Sequence, residues 1–197
     1  MPEVRRRSPL ERALAEAGPG AGSREEVGMV IAERRELALV QVIARRGRER
    51  AVAERLGLDP TPGLASAVRD GTALWLAPGT WLMVAERTGG DALCRSLRER
   101  LDDLAAIADQ SHGRVVLRLF GARARDVLVK SCRLDLHPRA FAPGGCAQSV
   151  IAQIGVLLHQ VDERPTYDLY VASSYALDFL EWLTASAAEF GYRPDVA

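Results

Sequence analysis

Apolar and polar positions along the chain fall into short blocks that predict strands and helices in turn. Residues 27–32 and 37–43 are apolar runs separated by Glu33-Arg34-Arg35-Glu36, which predicts an antiparallel strand pair. A helix over 48–56 follows, stopped by Gly57. The runs 72–77 and 81–84 meet across Pro78-Gly79, a pairing of strands and turn residues that predicts a hairpin. The next segment, 91–104, carries Leu93, Leu97, Leu101 and Leu104 at helical spacing, so one of its faces is predicted to lie on a sheet, with Cys94 beside that stripe as a small buried hydrophobe.

The order then repeats. Residues 115–119 read as a strand and 122–130 as a helix; a long irregular passage leads to strands near 149–154, 156–161 and 167–171. A last helix is predicted over 174–190. Its apolar face is wide, with one stripe of Ala176, Leu180, Leu183, Ala187 and Phe190 and a second of Tyr175, Phe179 and Trp182. Either core packing or a subunit interface suits the second stripe, since aromatic residues are enriched in both.

Segments 48–60 and 123–138 share a basic helix start, an apolar middle and a Leu-Asp pair before proline, and Trp81-Leu82-Met83-Val84 answers Asp168-Leu169-Tyr170-Val171. The chain therefore reads as α+β: two similar halves of antiparallel sheet with helices on one face. At the start, Ser8-Pro9-Leu10-Glu11 has the residues of a helix N-cap, first turn and capping box, predicting a helix that ends near Gly18. Residues 18–23, GPGAGS, predict a linker. The expected division is a helix and linker over 1–23, a first half over 24–105 and a second half over 106–197.

Composition narrows the function. Apolar residues make up 48% of the chain and charged residues 26%, the balance of a folded globular protein. Lys plus Arg and Asp plus Glu are both 26, so no net field draws in nucleic acid or an anionic membrane, and clusters such as Arg5-Arg6-Arg7 read as solvated faces. No apolar run approaches the ~20 residues of a membrane helix. The three separated cysteines, Cys94, Cys132 and Cys146, suit free thiols in a reducing cytoplasm, and a cytoplasmic protein without disulfides is expected.

Candidate chemistry is sparse. The spacing of Cys132, His137 and Cys146 fits no zinc pattern, no glycine-rich phosphate loop occurs, and no G-x-S-x-G nucleophile elbow is present. Neither a catalytic residue nor a metal site is expected. Among His112, His137 and His159, the first has the densest polar surroundings: Asp109, Gln110, Ser111, Gly113 and Arg114, beside a predicted strand. Asp109 and Ser111 would also serve simply to cap a turn through side-chain to backbone hydrogen bonds.

This cluster carries a family resemblance. Asp109-Gln110-Ser111-His112-Gly113, followed by the strand 115–119, Gly121 and the helix over 124–128, resembles the glycine-cleavage aminomethyltransferase (T-protein) family, which binds tetrahydrofolate. The passage DQSHGRVVLRLFGARARDVLVKSCRLDLHPRAF, with Pro143-Gly144-Gly145-Cys146-Ala147-Gln148, resembles more closely the gamma-subunit family of heterotetrameric sarcosine oxidases; the likeness covers most of residues 8–190. The resemblance implies an aminomethyltransferase folate-binding-domain-like fold and a folate-site-like cluster of Asp109, Ser111, His112 and Arg114. In T-proteins the catalytic carboxylate follows a glycine pair, as G-G-x-x-D-D; here Gly144-Gly145 leads to Cys146, Ala147, Gln148 and Ser149, with no acid.

The resemblance thus implies a non-catalytic gamma subunit with alpha, beta and delta partners, in a complex that demethylates sarcosine to glycine. Hydrogen peroxide would be formed, together with 5,10-methylenetetrahydrofolate or formaldehyde. FAD, FMN, NAD and tetrahydrofolate would be held by the other subunits and no cofactor by this chain. The alternatives are a stand-alone tetrahydrofolate-binding or aminomethyltransferase-like protein and an unrelated interaction module.

Overall fold

In the computed structural model, which describes residues 8–16, 27–86 and 89–195, the apolar runs become two sheets pressed face to face. In chain order the elements are α1 (Glu11–Glu16), β1 (Met29–Glu33), β2 (Leu37–Ala44), α2 (Glu49–Leu56), β3 (Ala65–Val68), β4 (Gly71–Ala77), β5 (Thr80–Glu86) and α3 (Gly90–Leu101). There follow β6 (Ala105–Asp109), β7 (Arg114–Phe120), α4 (Ala124–Val129), β8 (Cys146–Ile151), β9 (Ile154–Asp162), β10 (Thr166–Ala172), α5 (Ala176–Ala187) and β11 (Tyr192–Asp195). One sheet has the order β3-β4-β5-β2-β6, the other β11-β1-β7-β10-β9-β8.

Strand alternation explains the layers, because successive side chains point to opposite faces. On β7, Val115, Leu117 and Leu119 face the helices α1, α4 and α5, whereas Val116 faces the other sheet. Leu37, Leu39, Leu74, Leu82 and Val84 meet Val116, Leu157 and Tyr170 between the sheets. The helices α2 and α3 cover the outer face of the first sheet through Val52, Leu56, Leu93 and Leu97. Burying each such aliphatic side chain stabilises the fold by about 1.5–3 kcal/mol before entropy is subtracted. With helices on one face of each sheet, both sheets have two apolar faces, and their strands accordingly read as nearly continuous apolar runs.

The repeat visible in the sequence is a repeat of topology. Read as β2-α2-β3-β4-β5-α3-β6 and β7-α4-β8-β9-β10-α5-β11, the two halves place corresponding strands in corresponding sheet positions, except at one slot. In the first sheet β6 pairs with β2; in the second the equivalent place beside β7 is taken by β1, and β11 pairs with β1 in parallel.

The predicted antiparallel pairing of 27–32 with 37–43 is therefore corrected: these strands lie in different sheets. The charged segment between them is a crossing rather than a hairpin turn, so its residues reach the space between the layers. A boundary at 105/106 cuts β6 from the sheet it completes, and the segment 24–105 contributes β1 to the second sheet.

The hairpin of 72–77 and 81–84 forms as predicted, with Gly79 at φ 70°, a backbone that favours glycine. The helix over 48–56 also forms, capped by Gly57 at φ 70°. The predicted end of the first helix near Gly18 and the linker 18–23 lie outside the described residues. Ser8 does begin that helix, its hydroxyl accepting the Leu10 N–H at 2.9 Å, but it donates to the Glu33 carboxylate, and Glu11 pairs with Arg35 instead of closing a capping box.

Candidate functional site

Charge enters the interior at one end of the inter-sheet layer. Asp168, on β10, is 1% exposed. Its Oδ1 accepts from Arg118 Nε at 2.7 Å, and its Oδ2 accepts from Arg118 Nη2 and Arg34 Nη1, both at 2.8 Å. Arg34 also donates to Glu86 at the end of β5, so the network ties the second sheet and the β1–β2 crossing to the first sheet. Such a fork matches both carboxylate oxygens and satisfies a buried charge that would otherwise be costly. Hydrogen bonding to Asp168 also holds the Arg118 guanidinium above its ordinary pKa.

His159 stands opposite Asp168 in the β9–β10 register and is buried. Burial pushes its imidazole pKa down, with Asp168 partly opposing, and the neighbouring Tyr170 phenol is pushed up for the same reason of burial. Sequence reading missed the Asp168 network. The available signal was a charged residue in the middle of two apolar strands, Arg118 in RVVLRLF and Asp168 in TYDLYVA.

Arg34, Glu86 and Arg118 line two hollows at this end of the molecule, one of about 1350 Å³ and one of about 770 Å³. The larger is where part of the sequence-predicted cluster lies: His112, exposed, and Arg114, part-buried at the start of β7, are in its wall together with Ser173. The other two members turn elsewhere. Ser111 is buried, accepts the Leu39 N–H at 3.0 Å and welds its turn to β2. Asp109 accepts the Ser111 N–H at 2.8 Å, and a Cβ on Gly90 would stand 2.2 Å from its carboxylate, which places that negative charge at the N-terminus of α3. Asp109 and Ser111 thus do the turn-capping work open to them on sequence grounds, and only His112 and Arg114 share the cleft.

The glycine pair that carries the T-protein comparison joins the sheets at the opposite edge. Ala65 N–H donates to the Gly144 carbonyl at 2.8 Å and Cys146 N–H to that of Gly63 at 2.7 Å. Gln148, where the T-protein pattern has an acid, donates through Nε2 to the Leu76 carbonyl of the other sheet at 3.1 Å. Cys146 is fully buried beside the Trp75 carbonyl, and burial pushes its thiol up to about 11. These residues fasten one layer to the other.

Cys132, His137 and Cys146 have separate partners: Ser149, the Arg139 N–H and Trp75 respectively. Among the described residues no group of three His, Cys, Asp or Glu side chains is arranged to hold a metal ion, and no helix is long and apolar enough to cross a membrane.

The aromatic stripe of the last helix is divided by the structure. Phe179 is wholly buried and Trp182, its ring centroid 5.7 Å away, packs against the same core, while Tyr175 and Leu177 are exposed. The predicted helix over 174–190 is α5 with a tight turn at each end.

Comparison with known proteins fits this architecture. The chain is similar to the glycine cleavage system aminomethyltransferase T of Bartonella henselae at TM-score 0.65 and 15% identity, covering 94% of this chain and 51% of that one, a likeness of fold. It is similar over nearly its whole length to a chain of the heterotetrameric sarcosine oxidase of Corynebacterium sp. U-96 solved with pyrrole 2-carboxylate: TM-score 0.80, 31% identity, 94% of this chain and 96% of that chain. Sarcosine oxidase subunit gamma of Corynebacterium sp. (strain P-1) is 34% identical over 96% of this chain and 93% of its own length; that of Arthrobacter sp is 33% identical over 98% and 94%. The model of the sarcosine oxidase gamma subunit family matches residues 44–189. This chain belongs to the sarcosine oxidase gamma subunit family.

Proposed function

We propose that this chain is a non-catalytic subunit of a heterotetrameric sarcosine oxidase. Its role would be structural, packing against alpha, beta and delta subunits that oxidise the N-methyl group of sarcosine. Glycine and hydrogen peroxide are the expected products, with the one-carbon unit passed to tetrahydrofolate or released as formaldehyde. FAD, FMN, NAD and folate belong in this reading to the partner subunits, and the complex to the cytoplasm.

The observation that carries the reading is Gln148. Where a T-protein-like active site would need a carboxylate, the chain has an amide already committed to the Leu76 carbonyl of the opposite sheet. A carboxylate orients a reacting amine by accepting from it; this amide is instead a structural bond between layers. The fold can be shared while the chemistry is not.

Co-expression of a tagged chain with its genomic neighbours tests this, read by pull-down, absorbance and sarcosine-dependent peroxide. A yellow four-chain complex with that activity is expected. A folded chain that comes down alone and colourless overturns the reading; saturable tetrahydrofolate binding by that chain, lost on His112→Ala, would put a stand-alone folate protein in its place.

A further inference from the structure

Four guanidinium groups line the larger cleft, and three of them have partners on the chain. Arg34 is held by Asp168 and Glu86, Arg118 by Asp168, and Arg35 by Glu33 and Glu11. Arg114 differs. Among the described residues its Nε, shut off from water, has no hydrogen-bond partner, and nothing forms an ion pair with its guanidinium. Burial lowers its pKa. Buried polar groups are ordinarily bonded, and a part-buried cation without a counter-charge lowers the stability of the chain that carries it. Such an arrangement suits a group whose partner arrives on assembly.

We infer that the cleft wall at Arg114 receives the carboxylate of an Asp or Glu side chain from a partner subunit. The inference rests on the subunit reading above. The planar fork of arginine matches a carboxylate with two parallel hydrogen bonds, which favours this ligand chemistry. At about 1350 Å³ the cleft exceeds the ~300–1,000 Å³ usual for enclosed small-molecule sites, and it is walled by both sheets and by Ser8 and Pro9 of the first helical turn. Breadth of that kind fits a protuberance of another protein better than a small acid. His112 and Ser173 flank Arg114 in the wall and offer further polar contact at its rim.

The test compares wild type, Arg114→Gln, Arg114→Lys and, as control, Arg12→Gln at an exposed arginine on α1, each co-expressed with the partner subunits. Dissociation of the purified complexes is titrated with salt, and the denaturant midpoint of each isolated chain is measured. Arg114→Gln is expected to weaken association roughly tenfold or more and to flatten its salt dependence, with Arg114→Lys intermediate and Arg12→Gln unchanged. The isolated Arg114→Gln chain should unfold at the same or a higher denaturant concentration, because an unpaired charge has been removed.

Association of Arg114→Gln within about twofold of wild type would overturn the inference, as the truncation of a buried charge pair costs far more than that. So would a lowered midpoint of the isolated variant, which would reveal a partner within the chain. Failure of the wild-type chain to assemble would instead defeat the subunit reading, and the inference with it.

Discussion

Arg118 and Asp168 face each other across neighbouring strands β7 and β10 and form a two-pronged bond, 2.7 Å from Nε and 2.8 Å from Nη2, at the end of the inter-sheet layer. Asp168→Ala leaves Arg118 and Arg34 without their shared counter-charge and is expected to cost about 3 kcal/mol or more, the usual range for breaking a buried pair from one side. Arg118→Met should cost less, because Arg34 remains bonded to Asp168. Urea unfolding of the isolated chain measures both; equal losses would mean that Arg34 gives Asp168 no support.

Ser111 supplies the acceptor for the Leu39 N–H in a buried position. Ser111→Ala removes the acceptor and leaves that backbone donor unsatisfied, for a loss of about 1–3 kcal/mol. His112→Ala, at the exposed neighbour, should leave stability within about 0.5 kcal/mol. A reversed order in thermal unfolding would assign the folding role to His112 instead.

The split aromatic stripe gives opposite expectations for adjacent rings. Phe179→Ala opens a cavity in the core and should destabilise the chain by about 3–5 kcal/mol. Tyr175→Ala, at a residue 54% exposed, should leave the isolated fold within about 0.5 kcal/mol. If Tyr175 meets a partner subunit, only the assembly constant will record its loss.

His159 is held below its ordinary pKa of 6.5 chiefly by burial. The fold therefore favours the neutral ring: its contribution is complete above the ordinary value and is lost as the pH falls, because the unfolded chain takes up a proton that the fold resists. As the pH falls below about 6.5, the stability of wild type should decline more steeply than that of His159→Gln. Parallel curves of unfolding midpoint against pH would rule out this histidine as a source of acid sensitivity.

Thiol labelling should separate the three cysteines. Cys94 and Cys146 are buried, and burial raises the pKa of each, that of Cys146 to about 11, so burial and suppressed ionisation both slow their reaction. Cys132, only part-buried, should react first, with one equivalent modified in the native chain and three after unfolding. Mass-spectrometric mapping of the first adduct to Cys146 would contradict the packing of β8 against the other sheet.

Local pattern determined much of this protein. Leucines at helical spacing marked α3, Pro78-Gly79 marked the β4–β5 hairpin, Asp109 and Ser111 marked a turn, and the passage over 109–148 carried the family. These features act over a few residues, through periodicity, turn chemistry and side-chain to backbone bonds, and are therefore written in consecutive letters.

Tertiary structure decided what periodicity cannot encode: which strand lies beside which. Apolar alternation tells a strand which face to bury but not its neighbour, so β1 and β2 looked like a pair although β1 joins β7 and β11. The turn between β8 and β9 falls at 152–153, earlier than the break expected between 154 and 156. Ala152 and Gln153 take φ of 52° and 65° without glycine or asparagine, and a hydroxyl from distant Ser131 accepts the Ala152 N–H. Asp168 meets Arg34 from 134 positions away, and the same packing leaves Arg114 without an ion-pair partner among the described residues. A charge in a strand shows its partner only once the sheets have closed on it.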